Sequence, residues 1–271
     1  MPGTNMNVSR RSSLVALLGL VAAGCGGGGG SGGGSGSTAP AMAGSTLTRT
    51  ISAQSNGTTY PLSIYLPPGT VAIRANLPTV YLLDGESRFQ TLVDIVEASH
   101  AQVMIVAIGN EALRARDYVP ANICTAGGGG QGAFLQFIAS ELVPFVEATF
   151  ASDPQRRILL GHSHGGSFVF YALFNEAPAG RHFGAYLASD ASIDCLSAEA
   201  YGWEAAYAAA NTALPVRLHV SYSANVGNVA FAQQIEGRHY AGLTMAGQLY
   251  GGGHTGMIPA AFADALAFAL A

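Results

Sequence analysis

RILLGHSHGGSFVFYALF, residues 157–174, holds a short apolar run, a polar knot of glycines and histidines around one serine, and a second apolar stretch. The first run reads as a buried strand and SFVFYALF as a helix. Between them Gly161-His162-Ser163-His164-Gly165 spells G-x-S-x-G in the strand–turn–helix setting that gives the pattern its meaning. A turn this tight lifts the serine hydroxyl above the sheet, and glycines leave room for the backbone to fold and the helix to approach. The helix N-terminus beneath favours negative charge. Ser163 is therefore the candidate nucleophile, with the backbone N–H of His164 as one oxyanion donor. The flanking imidazoles project away from the serine, so neither is expected to reach its hydroxyl. Zinc at His162 and His164 would need a second ligand cluster, and the sequence shows none at suitable spacing, so no metal is expected.

A neutral serine hydroxyl needs a base. QLYGGGHTGMIPAAFADAL (248–266) supplies one: a strand, three glycines, His254 and a final helix. The glycines let that loop bend the imidazole back over Ser163.

Outward from the elbow, short apolar runs alternate with helical patterns. The strand candidates are residues 79–83, 103–108, 157–160, 183–189, 216–221 and 243–250. LTRTIS and LSIYL flank Asn56-Gly57, a hairpin signal. In AFLQFIASELVPFVEATF (133–150) the apolar residues recur at helical spacing, and Pro144 should kink or interrupt that helix. Such alternation predicts an α/β fold: a mainly parallel sheet covered by helices on both faces, with the opening hairpin as its antiparallel edge. Reactive groups then gather beyond the carboxyl ends of the strands. The linking segments are too short for a large lid.

The chain has 271 residues, 49% of them apolar and 10% charged, with a net charge of −4. That charge argues against nucleic acid as a partner, because phosphate binding needs a basic footprint. All 12 basic residues are arginines. A Schiff-base lysine and a P-loop lysine are thereby excluded, and kinase and NTPase readings with them. GGGGQG (127–132) contains G-x-G-x-x-G, but no strand precedes it, so it reads as a mobile loop bordering the site and not as a dinucleotide site.

The N-terminus, MPGTNMNVSRR followed by SSLVALLGLVAAG, is basic and then apolar over about a dozen residues, which is a secretory signal and too short to span a bilayer. AAGC (22–25) resembles a bacterial lipoprotein processing site, which makes residues 1–24 a signal peptide and Cys25 an acylated anchor. Residues 25–45 read as a Gly/Ser-rich flexible tether and 46–271 as the folded domain. The expected location is periplasmic or at the outer membrane or cell surface, held to the membrane by lipid. An oxidising compartment permits a disulfide between Cys124 and Cys195; two inert buried thiols are the alternative.

With these pieces placed, the chain resembles the putative-esterase family of α/β-hydrolases, in its enterobactin-esterase-like branch. The resemblance covers about 50–271 and rests on YLLDGE (81–86), RARDYVP (114–120), GAFLQFIASELVPFVEATF (132–150), GHSHGGSFVFYALF (161–174), ASDASID (188–194) and GGGHTGMIP (251–259). It implies serine ester hydrolysis through an acyl-enzyme, a small-molecule ester substrate and no cofactor. It also implies a second oxyanion N–H from Gly85 or Glu86. Siderophore lactones, aryl esters and short-chain acyl esters fit equally. The sequence departs from the family at the triad acid, since asparagines follow VRLHVS (216–221) where a carboxylate usually stands. Asp190, which closes the preceding strand, is the first candidate; Asp194, Glu236 and a Ser–His dyad without an acid are the others. Arg114, Arg116 and Asp117 read as a structural ion cluster or as contacts to an anionic substrate, and Tyr118 as a packing or pocket residue. A non-catalytic binding lipoprotein, a serine peptidase and an acyltransferase on the same fold remain alternatives.

Overall fold

The computed structural model describes residues 44–69, 76–224 and 226–271. The signal peptide, Cys25 and all but the end of the tether lie outside the described residues. Ser45, read as the last tether residue, already belongs to the first strand.

In chain order the elements are β1 (Ser45–Ser52), β2 (Thr59–Leu66), β3 (Thr79–Leu82), α1 (Gly85–Ser99), β4 (Met104–Ile108), α2 (Arg114–Tyr118), α3 (Gln131–Phe137), α4 (Val143–Phe150) and β5 (Arg157–His162). There follow α5 (His164–Asn175), β6 (Ala185–Ser189), α6 (Ser197–Ala210), β7 (Arg217–Tyr222), α7 (Val226–Gly237), β8 (Thr244–Leu249), α8 (Gly253–Gly256) and α9 (Ile258–Leu270). The strands form one sheet in the order β1-β2-β4-β3-β5-β6-β7-β8. β2 is antiparallel to both β1 and β4, and every other pairing is parallel. This is the α/β-hydrolase fold with an antiparallel N-terminal hairpin.

Central strands buried on both faces read as unbroken apolar runs, as MIVAI of β4 and AYLAS of β6 do. α1 and α9 cover one face, where Leu92, Val93 and Val96 meet Phe262 and Leu266. The other face holds the larger core. There Tyr60 of the hairpin stacks on Phe137 at 4.6 Å, and Phe134 meets Phe168 of α5 at 5.1 Å.

Pro144 marks an interruption of the α-helix without ending the helical course of the chain. A π-helical turn at Ile138–Leu142 joins α3 to α4 directly before it. A proline ring collides with the carbonyl four residues back, and widening that turn by one residue relieves the collision.

Two buried carboxylates brace α6 and its surroundings. Glu204 of α6 accepts two bonds of 2.8 Å from Arg238, one from Gln234 at 3.2 Å and one from Tyr240 at 2.7 Å. Glu176 meets His182 at 2.6 Å and Tyr186 at 2.8 Å.

Candidate active site

Ser163 stands between β5 and α5 with φ 60° and ψ −123°, a left-handed backbone for a residue carrying a side chain. Strain of this kind persists only where the surroundings over-determine it. Here they do so through two glycines. A Cβ at position 161 would collide with the carbonyl of Gly165, and one at 166 would lie 2.9 Å from the Ser189 carbonyl oxygen. The Ser163 N–H donates to Ser189 O at 2.9 Å, which extends the β5–β6 ladder one step past the strand.

His254 lies on α8, the single turn that starts at Gly253 after Gly252, both at positive φ. Its ring is half exposed, and its Nδ1 is 2.7 Å from Asp190 Oδ2. An ionised carboxylate only accepts, so Nδ1 carries the hydrogen and Nε2 keeps its lone pair. The His254 ring centroid lies 4.5 Å from that of His162, the residue directly before the serine. The fold therefore carries residue 254 to the elbow. Ser163 Oγ and His254 are not hydrogen-bonded to each other among the described contacts; such contacts are often long until substrate is bound.

Asp190 directly follows β6 at φ 39° and is 1% exposed. Besides His254, it accepts the Ser223 N–H at 3.0 Å and the Ser223 hydroxyl at 2.8 Å. Burial pushes its pKa up, but the Ser223 N–H, the His254 ring and the Ser223 hydroxyl outweigh burial and hold it below the usual carboxylate range. Asp194 and Glu236 are exposed, and neither is bonded to His254. Ser223 was not anticipated. It follows β7, where the sequence offers asparagines and no carboxylate, and it donates to Asp190 from the neighbouring strand.

The flanking histidines have other partners. His162 is buried, with Nδ1 3.2 Å from Ser189 Oγ. Burial first, then the nearby His254 ring and the charge of Arg88, bring its pKa down to about 3, so it is neutral at ordinary pH. His164 Nδ1 is 2.9 Å from Ser192 Oγ, and burial and Arg114 lower its pKa. No group of three or more His, Cys, Asp or Glu side chains among the described residues could hold a metal ion.

Across the cleft, β3 runs into Asp84, which is left-handed at φ 54° and opens α1. The first N–H groups of a helix have no partner within it, and those of Gly85 and Glu86 and of His164 open α1 and α5 respectively. A Cβ at residue 85 would lie 2.9 Å from Ile108 O, which requires glycine there. The Glu86 carboxylate turns away to the Glu111 N–H at 3.3 Å.

Asp84 is itself held in place. Arg114 Nε and Nη2 each donate at 3.1 Å to its two oxygens, and its N–H donates at 3.1 Å to the hydroxyl of buried Tyr118. The cluster read from RARDYVP is thus two units. Arg116 pairs with Asp117 at 2.7 Å beside Tyr60, whereas Arg114 leaves that pair for Asp84.

Cys124 and Cys195 are joined by a disulfide with Cα atoms 5.4 Å apart, linking the loop before α3 to the segment after Asp190. Of GGGGQG only the four glycines, 127–130, lie in that loop, with Gly127, Gly128 and Gly129 at positive φ, while Gln131 and Gly132 open α3.

A model of the family described as "Putative esterase" matches residues 53–192. The siderophore triacetylfusarinine C esterase of Aspergillus fumigatus is 35% identical over 136 residues, 44% of this chain and 46% of that protein. The ferri-bacillibactin esterase of Bacillus subtilis is 30% identical over 173 residues, 55% and 58% of the two chains. The chain therefore spans about half the length of these curated relatives. Among solved structures, the IroE-like serine hydrolase of Shewanella oneidensis superposes with a TM-score of 0.74 at 25% identity, covering 82% of this chain and 79% of that one.

Proposed function

This chain belongs to that esterase family, and on this premise we propose that it is a serine carboxylic-ester hydrolase with Ser163, His254 and Asp190 as its triad. The observation that carries the reading is the 2.7 Å bond from Asp190 to a histidine whose ring lies 4.5 Å from that of the residue preceding the serine. His254 Nε2 takes the Ser163 proton as the hydroxyl attacks the ester carbonyl. Asp190 orients the ring and stabilises the imidazolium that forms. The N–H groups of His164 and of Gly85 or Glu86 receive the oxyanion, each at about 3–4 kcal/mol of transition-state stabilisation. His254 then protonates the departing alcohol, and water releases the acid by the same route.

The relatives' names favour a siderophore ester as substrate. Anchoring through Cys25 belongs to the same proposal, supported by AAGC and by a disulfide that suits an oxidising compartment. Replacing Cys25 by alanine should then move the protein from the membrane to the soluble fraction.

The test is an ester panel, including a trilactone siderophore, run beside Ser163→Ala and a fluorophosphonate label. Turnover and labelling that vanish together in Ser163→Ala support the triad. Folded protein that neither turns over nor labels would instead be a binding protein on this fold.

A further inference from the structure

Arg88 has no place in the chemistry above, yet it stands beside it. It sits one turn into α1, on the stripe that carries buried Gly85, Leu92 and Val96 toward the sheet and α9. Side chains on a helix lean toward its N-terminus, so the guanidinium is directed back to the catalytic end of the sheet. Its Nε is buried and has no hydrogen-bond partner. Among the described residues, Arg114 and Arg116 also lie at this end, and they are paired with Asp84 and Asp117.

No acid on the same helix neutralises Arg88. Asp84 is occupied by Arg114, Glu86 by the Glu111 N–H, Asp94 by Gln90 and Glu97 by Tyr65. The charge of Arg88 is nevertheless felt at His162, whose ring packs on that of His254. A cation with a buried, unpartnered donor therefore lies within electrostatic reach of His162, at the catalytic end of a protein of net negative charge.

We propose that Arg88 is a docking group for an anionic substituent of the ester, a carboxylate or a group of like charge, held while the scissile carbonyl lies at Ser163. A guanidinium fork matches such a group in charge and plane. The proposal rests on the esterase reading and names its substrate class: esters that carry negative charge near the reacting bond.

Two matched pairs of substrates test it. Mono-4-nitrophenyl adipate against 4-nitrophenyl hexanoate places the charge on the acyl side; 4-butyryloxybenzoate against phenyl butyrate places it on the alcohol side. In Arg88→Met the preference for the charged member of one pair, as a ratio of kcat/KM values, should fall at least tenfold, mainly through KM. Arg88→Lys should fall between, since it keeps the charge without the fork. Added salt should erode the preference of the unmutated protein and not that of Arg88→Met. Equal change on charged and neutral members of both pairs would overturn the proposal and leave the esterase reading intact. Absence of all turnover and labelling would overturn that reading instead. Calorimetric binding of monobutyl adipate to Ser163→Ala, with and without Arg88→Met, then still decides: at least fivefold weaker binding supports the docking role, and equal binding refutes it.

Discussion

Asp190 and Glu204 are both buried carboxylates, both hold pKa values lowered against the pull of burial, and both accept several hydrogen bonds. They differ in what faces them. Glu204 meets a guanidinium, an amide and a phenol on α7 and the segment after it, and the arginine keeps its charge at every relevant pH. Asp190 meets a serine and a half-exposed imidazole on a one-turn helix entered through two left-handed glycines. A partner that cannot lose its proton makes a brace. A partner that gains and loses one, and has room to move, makes a working site.

Exchanging single atoms separates the two roles. In Asp190→Asn the charge is lost and an amide N–H₂ donor replaces one acceptor oxygen, which favours the wrong imidazole tautomer, and kcat on an ester should fall by about 10⁴ while the folded state persists; a loss under tenfold would place the acid elsewhere. Removing the Cys124–Cys195 crosslink, which ties the segment after Asp190 to the glycine loop, should cost about 4 kcal/mol of unfolding free energy, given its span of 71 residues. Urea titration of Cys124→Ser/Cys195→Ser measures it.

Glu204→Ala should cost about 1–3 kcal/mol, because the Tyr240 hydroxyl loses its acceptor. Its kcat per folded molecule should not change; a fall as large as that of Asp190→Asn would erase the distinction. The smallest effect concerns acid. Both carboxylates titrate lower in the fold than unfolded, so their stabilisation is complete above an ordinary carboxylate pKa of about 4 and is lost as pH falls through the lowered folded values. Glu204→Gln should flatten that limb of the stability profile without moving the pH profile of kcat.

Much of this was legible in the chain. The strand, turn and helix around Ser163, the glycines before His254 and the strand that ends at Asp190 are local patterns, and local patterns reach the reader in order. The choice among Asp190, Asp194 and Glu236 was not local, because it depends on which loop top lies under α8, and that follows from sheet order. The partners of Asp84 were hidden for the same reason: Arg114 lies two residues from Arg116 in sequence but turns to a different element. Pro144 did mark an interruption, but its form was not legible: the α-helix gives way to a π turn just before the proline, and the chain stays helical through it.

The ladder between strands continues one rung beyond each of them at the top of the sheet. Ser163 N–H bonds Ser189 O, Asp190 N–H bonds Ser221 O, and Tyr250 N–H bonds Tyr222 O. The proposed nucleophile and acid, and the serine that holds that acid, thus cap three neighbouring strands, like marks on a ruler divided at about 4.8 Å. Under the proposed function, chemistry on this platform can be respaced only by whole strand widths, so selection for a different substrate would have the rims of the cleft to reshape and not its axis.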